Sequence, residues 1–308
     1  MSINTQLIAK QLQDQYGLES AVCKDLCTLA NDAIEVTAQS GHYALKLYNP
    51  ASRNKSEVQW EIDLTLHLIK NGAPVARPVA GNDGYLQSFI VNDQERVAVL
   101  FEWVAGAKPK PDLSTYVLVG KAAALIHQAA DTFSSPLERE VYDAGVLINE
   151  QLKRMKQPLI ETGQQQRVFD LTERLRTALD NPTLDWGICH MDLTLDNVHR
   201  DGDSLMVFDL DSAGECWRAT EPWGVKKAAE DRFQAWLEGY RTIRPFSKAD
   251  EDAVAVFAII EDIRNTVWKL GFANSSRGKP LMQPAELPQV VDEWLEWEKN
   301  KVKNVLSD

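Results

Sequence analysis

Hydrophobic and polar positions change period partway along the chain. Between residues 21 and 48, "CKDLCTLA", "AIEVTAQ" and "HYALKLY" read as short strands, the last of them with alternating side-chain directions after a Ser40-Gly41 turn. In "SRNKSEVQWEIDLTLHLIKNGAPV" the period becomes helical. Apolar Val58, Ile62, Leu66 and Ile69 recur at spacings of four, four and three, and Gly72 and Pro74 stand beyond as stop signals. "GYLQSFIV" and "ERVAVLFEWVAG" return to strand character, which predicts a five-stranded antiparallel sheet carrying one helix. After Gly106 helical patterns dominate, over 113–133, 143–159, 164–179, 226–243, 247–271 and 288–302, with Ser247 as an N-cap and Gly271 as a stop. Strands in front and helices behind predict an α+β chain in two lobes, 1–103 and 104–308. The Lys-Pro-Lys-Pro run within 106–114 forms a semi-rigid connector just after the junction.

At 308 residues and 44% apolar content the chain can bury a sizeable core. No stretch approaches the roughly 20 apolar residues of a membrane helix, and "MSINTQLIAKQLQDQYG" lacks a basic segment followed by an apolar one. A cytoplasmic protein without a membrane partner is the expectation. A net charge of -12 repels phosphate backbones and excludes nucleic acid as the expected partner. Cys23, Cys27, Cys189 and Cys216 match no zinc or disulfide spacing, so they are read as reduced thiols.

The densest chemistry lies in "GICHMDLTLDNVHRDGDSLMVFDLDSAG", residues 187–214, which holds six aspartates, two histidines and an asparagine. Asp201-Gly202 predicts a tight hairpin, with Asp201 and Asp203 as turn residues. Folding back about that turn gathers Asp192, Asn197, Asp209 and Asp211 at the opposite end. Hard oxygen ligands without a cage of histidines suit Mg²⁺, which binds through one or two carboxylates plus substrate phosphates. Asp211, two residues after Asp209, points to the same side if the strand continues.

His190-Met191-Asp192-Leu193-Thr194-Leu195-Asp196-Asn197, followed by Val207-Phe208-Asp209-Leu210-Asp211, resembles the H-x-D-x-x-x-x-N loop and metal-binding aspartate of protein-kinase-like phosphotransferases. The D-x-D ending is more similar to the aminoglycoside phosphotransferase and choline kinase group, with homoserine kinase-like and stress-response kinase relatives, than to protein kinases. The resemblance implies a two-lobed kinase-like fold, with a nucleotide-binding first lobe and a catalytic, acceptor-binding second one. It implies ATP and Mg²⁺ as cofactors, and transfer of the γ-phosphate to the hydroxyl of a small, amine-bearing molecule. Asp192 becomes the catalytic base, Asn197, Asp209 and Asp211 the metal residues, and His190 a structural support. "HYALKLY" resembles the strand bearing the phosphate-binding lysine, Lys46, with Glu61 as its helix partner and Glu57 one turn earlier as the alternative. "VLFEWVAG" resembles the adenine-binding hinge, including Glu102 and Trp103. Two departures stand out. Met191 occupies the position of a glycine, and the phosphate loop "LANDAIEV" has no glycine, leaving Asn31 and Asp32 to shape it.

For the acceptor pocket, Asp196, Glu215, Trp217, Glu261, Asp262 and Trp268 are the candidates, since an acidic, aromatic pocket favours an amine. Competing readings are a protein Ser/Thr kinase of the stress-response type and a non-catalytic nucleotide-binding pseudokinase. An iron(II) oxygenase using His190, Asp192 and His199 would leave Asn197 and the D-x-D unexplained.

Overall fold

A computed structural model describes residues 3–28, 30–272 and 280–302; Leu29, within the glycine-free loop, lies outside the described residues. The chain opens on a helix, α1 (Thr5–Tyr16), where the sequence pattern placed a sheet first. Only Ile8 and Leu12 are buried along it, too sparse a stripe to register as a period. Asn4 caps its start, accepting from the Leu7 N–H, and Gly17 ends it at φ +66°.

Six strands follow rather than five: β1 (Val22–Asp25), β2 (Asp32–Ala38), β3 (Gly41–Leu47), β4 (Pro78–Val79), β5 (Gln87–Val91) and β6 (Gln94–Glu102). They form one antiparallel sheet in the order β1-β2-β3-β6-β4, with β5 also paired to β6. The β2–β3 turn is Gln39-Ser40, one residue earlier than the pattern placed it, because Ala38 faces Gly41. On β5 the Gln11 side chain acts as a surrogate strand partner, donating to the Ile90 carbonyl (3.0 Å) and accepting from the Ile90 N–H (2.6 Å). That contact covers backbone groups an edge strand would otherwise expose.

Helix α2 (Lys55–Lys70) begins with a capping box between Asn54 and Glu57. It buries two faces where periodicity marked one. Val58 and Ile62 pack on the sheet with Tyr48 and Val99, whereas Trp60, Leu64 and Leu68 enter the core of the second lobe. Wedged between lobes, α2 couples the position of Glu61 to both.

The second lobe contains α3 (Leu113–Ala130), a π-helical turn over Gly145–Asn149, α4 (Glu150–Glu161), α5 (Gln165–Leu179), α6 (Trp223–Ala228), α7 (Glu230–Arg241), α8 (Lys248–Val267) and α9 (Leu287–Trp297). Two small antiparallel pairs, β7 (Trp186–Cys189) with β10 (Gly214–Trp217) and β8 (Val198–Asp201) with β9 (Ser204–Val207), carry the loops of the site. Helices α3 and α7 touch backbone to backbone at glycines. A Cβ on Gly120 would stand 2.0 Å from the Trp236 carbonyl oxygen, and one on Gly239 would stand 1.9 Å from that of Val117. Any larger residue at either position forces the helices apart. Among the described residues no helix is long and apolar enough to cross a membrane.

Candidate active site

Between β7 and β8 runs the loop 190–197, held from beneath by one buried carboxylate. Glu221 accepts the His190 N–H at 2.8 Å and the Met191 N–H at 3.1 Å. His127 in turn touches Glu221 through Nε2 (3.0 Å) and Tyr240 through Nδ1 (2.8 Å). Burial pushes the Glu221 carboxyl up, but the hydrogen bonds from His127 and from the His190 N–H leave Glu221 below the ordinary carboxylate range. Burial holds His127 below its usual value. The ring is therefore neutral, donating from Nε2 to Glu221 and accepting the Tyr240 hydroxyl at Nδ1.

This clamp explains Met191. Its φ of +66° is a conformation that costs a non-glycine residue about 1–2 kcal/mol. The Met191 N–H is fixed by Glu221, and its carbonyl accepts from Arg264 Nη2 at 3.0 Å. With both flanking peptide groups held, the strained residue has no relaxed alternative. His190 accepts the Asp192 N–H at Nδ1 (3.3 Å) and faces the Phe208 carbonyl with Nε2 (3.1 Å), tying the loop to the end of β9.

The hairpin turns at Gly202-Asp203, with Gly202 at φ +58° and Asp201 opposite Ser204. Its open end brings Asn197 beside Phe208, whose N–H donates to the Asn197 carbonyl at 3.0 Å. Asn197 Nδ2 donates to the backbone oxygen and to Oδ2 of Asp192, both at 2.8 Å, which leaves Asn197 Oδ1 as the free end of the amide. Asp209 follows at φ +65°, a region aspartate tolerates better than most residues. Its Oδ1 meets Lys46 Nζ at 2.7 Å; Lys46 also bonds Glu61 Oε1 at 3.1 Å, and the Tyr48 hydroxyl donates to the same oxygen at 3.0 Å. Glu57, the alternative partner, serves the helix cap and lies 3.7 Å from Arg53. Burial alone would lower the Lys46 pKa, but Asp209 and Glu61 hold it well above the ordinary value. At the cleft floor, ringed by protein yet open to the cleft, Asp192 is raised above the usual range by desolvation and by Asp209.

Asp211 departs from the expectation. The strand ends before it, and Leu210–Ser212 form a 3₁₀ turn, so the same-side argument fails. Its Oδ1 is bound by Arg53 Nε at 2.9 Å and its Oδ2 by Asn31 Nδ2 at 2.8 Å, which points both oxygens at groups of the first lobe. Asn31 Oδ1 accepts the Asn49 N–H at 2.9 Å, and Asp32 is bound by Arg96 at 2.6 Å, so these two side chains brace the sheet instead of forming the phosphate loop. The loop is shaped by Thr28, whose hydroxyl bonds the Asn31 carbonyl (2.5 Å) and the Ala33 N–H (3.0 Å). Burial pushes Asp211 up, but Lys46 and Arg53 together draw it down to about 2. With an unfolded value of about 3.9, the stabilisation is complete above roughly pH 4 and is lost as pH falls towards 2, at about 2 kcal/mol. Urea titrations between about pH 5 and 2.5 should show Asp211→Asn losing less stability than wild type across that interval; equal losses would refute this role.

At the lobe junction, the Trp103 N–H donates to the His42 carbonyl (2.9 Å) and its ring stacks on His42 with centroids 4.2 Å apart. Glu102 is exposed, 4.0 Å from Arg77. The Val104 N–H has no partner among the described residues.

A cleft of about 1220 Å³ opens above Asp192 between residues 51–57, the segment 136–146, α4 and the end of α8. Of the acceptor candidates only Trp268 lines it. Asp196 is ion-paired with Lys108 on the surface, and Asp262 with Lys227. Glu215 accepts from Trp186 Nε1 at 3.3 Å, and Trp217 packs edge-on against Trp186 at 4.7 Å. Glu261 is 1% exposed, bound by Arg264 at 2.8 Å and by the Thr220 hydroxyl at 3.2 Å. Spacing along α8 put Glu261 and Trp268 on one face, but Arg264 lies between them and turns the carboxylate inward. Sequence reasoning missed Arg53, Arg139, Glu221 and Arg264, which no local pattern marks because each acts on a residue distant along the chain. It also missed Gln151, which bonds the neighbouring Val146 carbonyl.

The donor set fits a hard divalent cation: the Asn197 oxygen is left over by the bonds of its own amide, and Asp209 is partly exposed beside it. Comparison with known proteins agrees in kind. The model of the Phosphotransferase enzyme family matches residues 28–250. A homoserine kinase of Neisseria meningitidis serogroup B is 27% identical over 73% of this chain and 74% of its own. Among solved structures, amicoumacin kinase hAmiN in complex with AMP-PNP, Ca²⁺ and Ami superposes with a TM-score of 0.77 at 17% identity, over 97% of this chain and 95% of that one. The microcompartment-associated aminopropanol kinase gives 0.75 at 18%, over 96% and 94%. A kinase-like fold, a loop aspartate open to a cleft and a match over most of its length place this chain in the Phosphotransferase enzyme family, as a small-molecule kinase.

Proposed function

We propose that the protein transfers the γ-phosphoryl group of ATP, with Mg²⁺, to a hydroxyl of a small amine-bearing molecule. The observation that carries this reading is the continuous chain Glu61–Lys46–Asp209 behind Asn197 and Asp192, of which Asp192 lines the cleft. The adenine edge meets residues 102–104, where the Val104 N–H is available. Lys46, held by Glu61, is the positive end for phosphate oxygens, and Asn197 Oδ1 with Asp209 would hold the metal. Magnesium supplies charge neutralisation on the phosphates. Asp192 accepts the proton of the acceptor hydroxyl as that oxygen bonds to the γ-phosphorus and the bond to the bridging oxygen breaks, releasing ADP. Its raised proton affinity suits a base more than an ordinary surface aspartate would.

Charge around the cleft favours an amine. Arg53, Arg139 and Arg264 are already bound to protein oxygens, whereas Glu138 and Glu140 on the cleft wall have no ion-pair partner among the described residues and outnumber Arg154, the remaining cleft arginine. Relatives named for homoserine and aminopropanol act on molecules that carry both an amine and a hydroxyl. Coupled ADP-release assays with ATP and Mg²⁺ should find turnover with at least one of 1-amino-2-propanol, ethanolamine, choline, homoserine and spectinomycin. ADP release with none of them, or only with protein mixtures, would overturn the reading.

A further inference from the structure

We propose that Gln151 selects the acceptor, its side-chain oxygen accepting a hydrogen bond from an N–H or O–H of the acceptor other than the reacting hydroxyl. This rests on the reading above and names how that cleft recognises its ligand.

Gln151 lies in the first turn of α4 and is 4% exposed, yet it lines the same cleft as Asp192. Its Nε2 donates to the Val146 carbonyl at 2.9 Å. That carbonyl belongs to the π-helical turn Gly145–Asn149, whose start is pinned by Asp143: Oδ1 accepts the Val146 N–H at 2.9 Å and the backbone oxygen accepts the Leu147 N–H at 2.8 Å. A carbonyl can only accept, so it fixes which end of the amide faces it. The other end, Oε1, receives no hydrogen bond from any described residue. The enclosed side-chain oxygens without a partner are those of Tyr16, Glu61 and Gln87, and Gln151 is not among them. Its oxygen is therefore not sealed in the interior, and the open volume that Gln151 borders is the cleft.

An amide held by one end is a directional reader. Its oxygen accepts and cannot donate, so it favours ammonium and hydroxyl groups and disfavours a carboxylate or ether oxygen at that point. Because the rest of the side chain is buried and its rotation is stopped by Val146, little ordering is required when the acceptor binds. A ligand that covers this oxygen without supplying a donor leaves it unpaired, which is how a polar site rejects an analogue lacking the matching group. Across the cleft, Asn265 and Trp268 at the end of α8 stand beside Arg264, whose guanidinium is already bound to Glu261 and the Met191 carbonyl, and Arg154 stands one turn further along α4.

The test measures steady-state constants for wild type, Gln151→Met and Gln151→Glu. The probes are 1-amino-2-propanol, homoserine and spectinomycin, with 2-propanol and 4-hydroxybutyrate as deaminated counterparts of the first two. Gln151→Met should raise KM for the acceptor about 10- to 100-fold, with kcat within about threefold and KM for ATP unchanged. Gln151→Glu keeps an oxygen towards the cleft but loses the donor to the Val146 carbonyl, so it should recover only part of that loss. If the donor is an ammonium, removing the amine weakens wild type far more than Gln151→Met. If removing the amine weakens both equally, the inference is overturned, because 1-amino-2-propanol and homoserine carry no second hydroxyl for Gln151 to read. An acceptor KM within twofold of wild type for Gln151→Met overturns the inference alone. So does a parallel fall in kcat, ATP affinity and melting temperature, which marks a merely structural residue. Absence of turnover by wild type on every acceptor of the five-compound panel overturns the proposed function, a result distinct from an unchanged Gln151→Met KM on an acceptor that wild type does turn over.

Discussion

Replacing Asp192 with asparagine should lower phosphoryl transfer about 10²- to 10⁴-fold, the range by which a positioned general base accelerates proton transfer. Asparagine preserves size and keeps an oxygen for the Asn197 amide, which in wild type donates to Asp192 at 2.8 Å. The loop geometry survives and only the proton acceptor is lost. Nucleotide affinity, set by Lys46 and the lobe junction, should stay within about twofold, since a residue that acts only in the transition state changes kcat and kcat/KM together. Equilibrium binding of a fluorescent ATP analogue beside ADP-release kinetics checks both halves. A variant that retains a tenth or more of wild-type kcat would mean that Asp192 is not the base.

Replacing Glu221 with leucine should destabilise the fold by about 3–5 kcal/mol, since three buried N–H donors each lose their partner at about 1–3 kcal/mol. The substitution strands the N–H groups of His190 and Met191 and the Nε2–H of His127, all in the interior. It also releases one side of the clamp that holds Met191 at φ +66°. The loop carrying Asp192 should then relax, and remaining folded enzyme should turn over more slowly at unchanged nucleotide affinity. Urea unfolding gives the stability term, and a change under about 1 kcal/mol would show that the carboxylate is not what supports the loop.

The half of the site formed by the hairpin was legible in the sequence for local reasons. A Gly202 turn, strand-like runs on each side and polar residues at their far ends determine which atoms meet without knowledge of the remaining chain. Lys46 and Glu61 were legible by resemblance. The acceptor side was not. Its shape depends on Arg53 reaching Asp211, 158 residues away, and on Arg264 reaching Met191, 73 residues away. Periodicity reports which face of an element is buried, never which element covers it. For the same reason α2 showed one apolar stripe although two are buried, and Glu261 looked like a pocket residue although Arg264 turns it inward. The same-side argument for Asp211 failed for a different reason: strand alternation was extended past Val207, where the chain leaves the strand through a left-handed Asp209.

Transfer itself can be observed by mass spectrometry of an amine-bearing alcohol incubated with ATP, Mg²⁺ and the protein. The account predicts an acceptor that gains one phosphoryl group on its hydroxyl, with matching ADP, in wild type, and a rate reduced at least about 100-fold with Asp192→Asn. ATP consumed to ADP and inorganic phosphate alone, or the same phosphorylated product at an undiminished rate with Asp192→Asn, would contradict it.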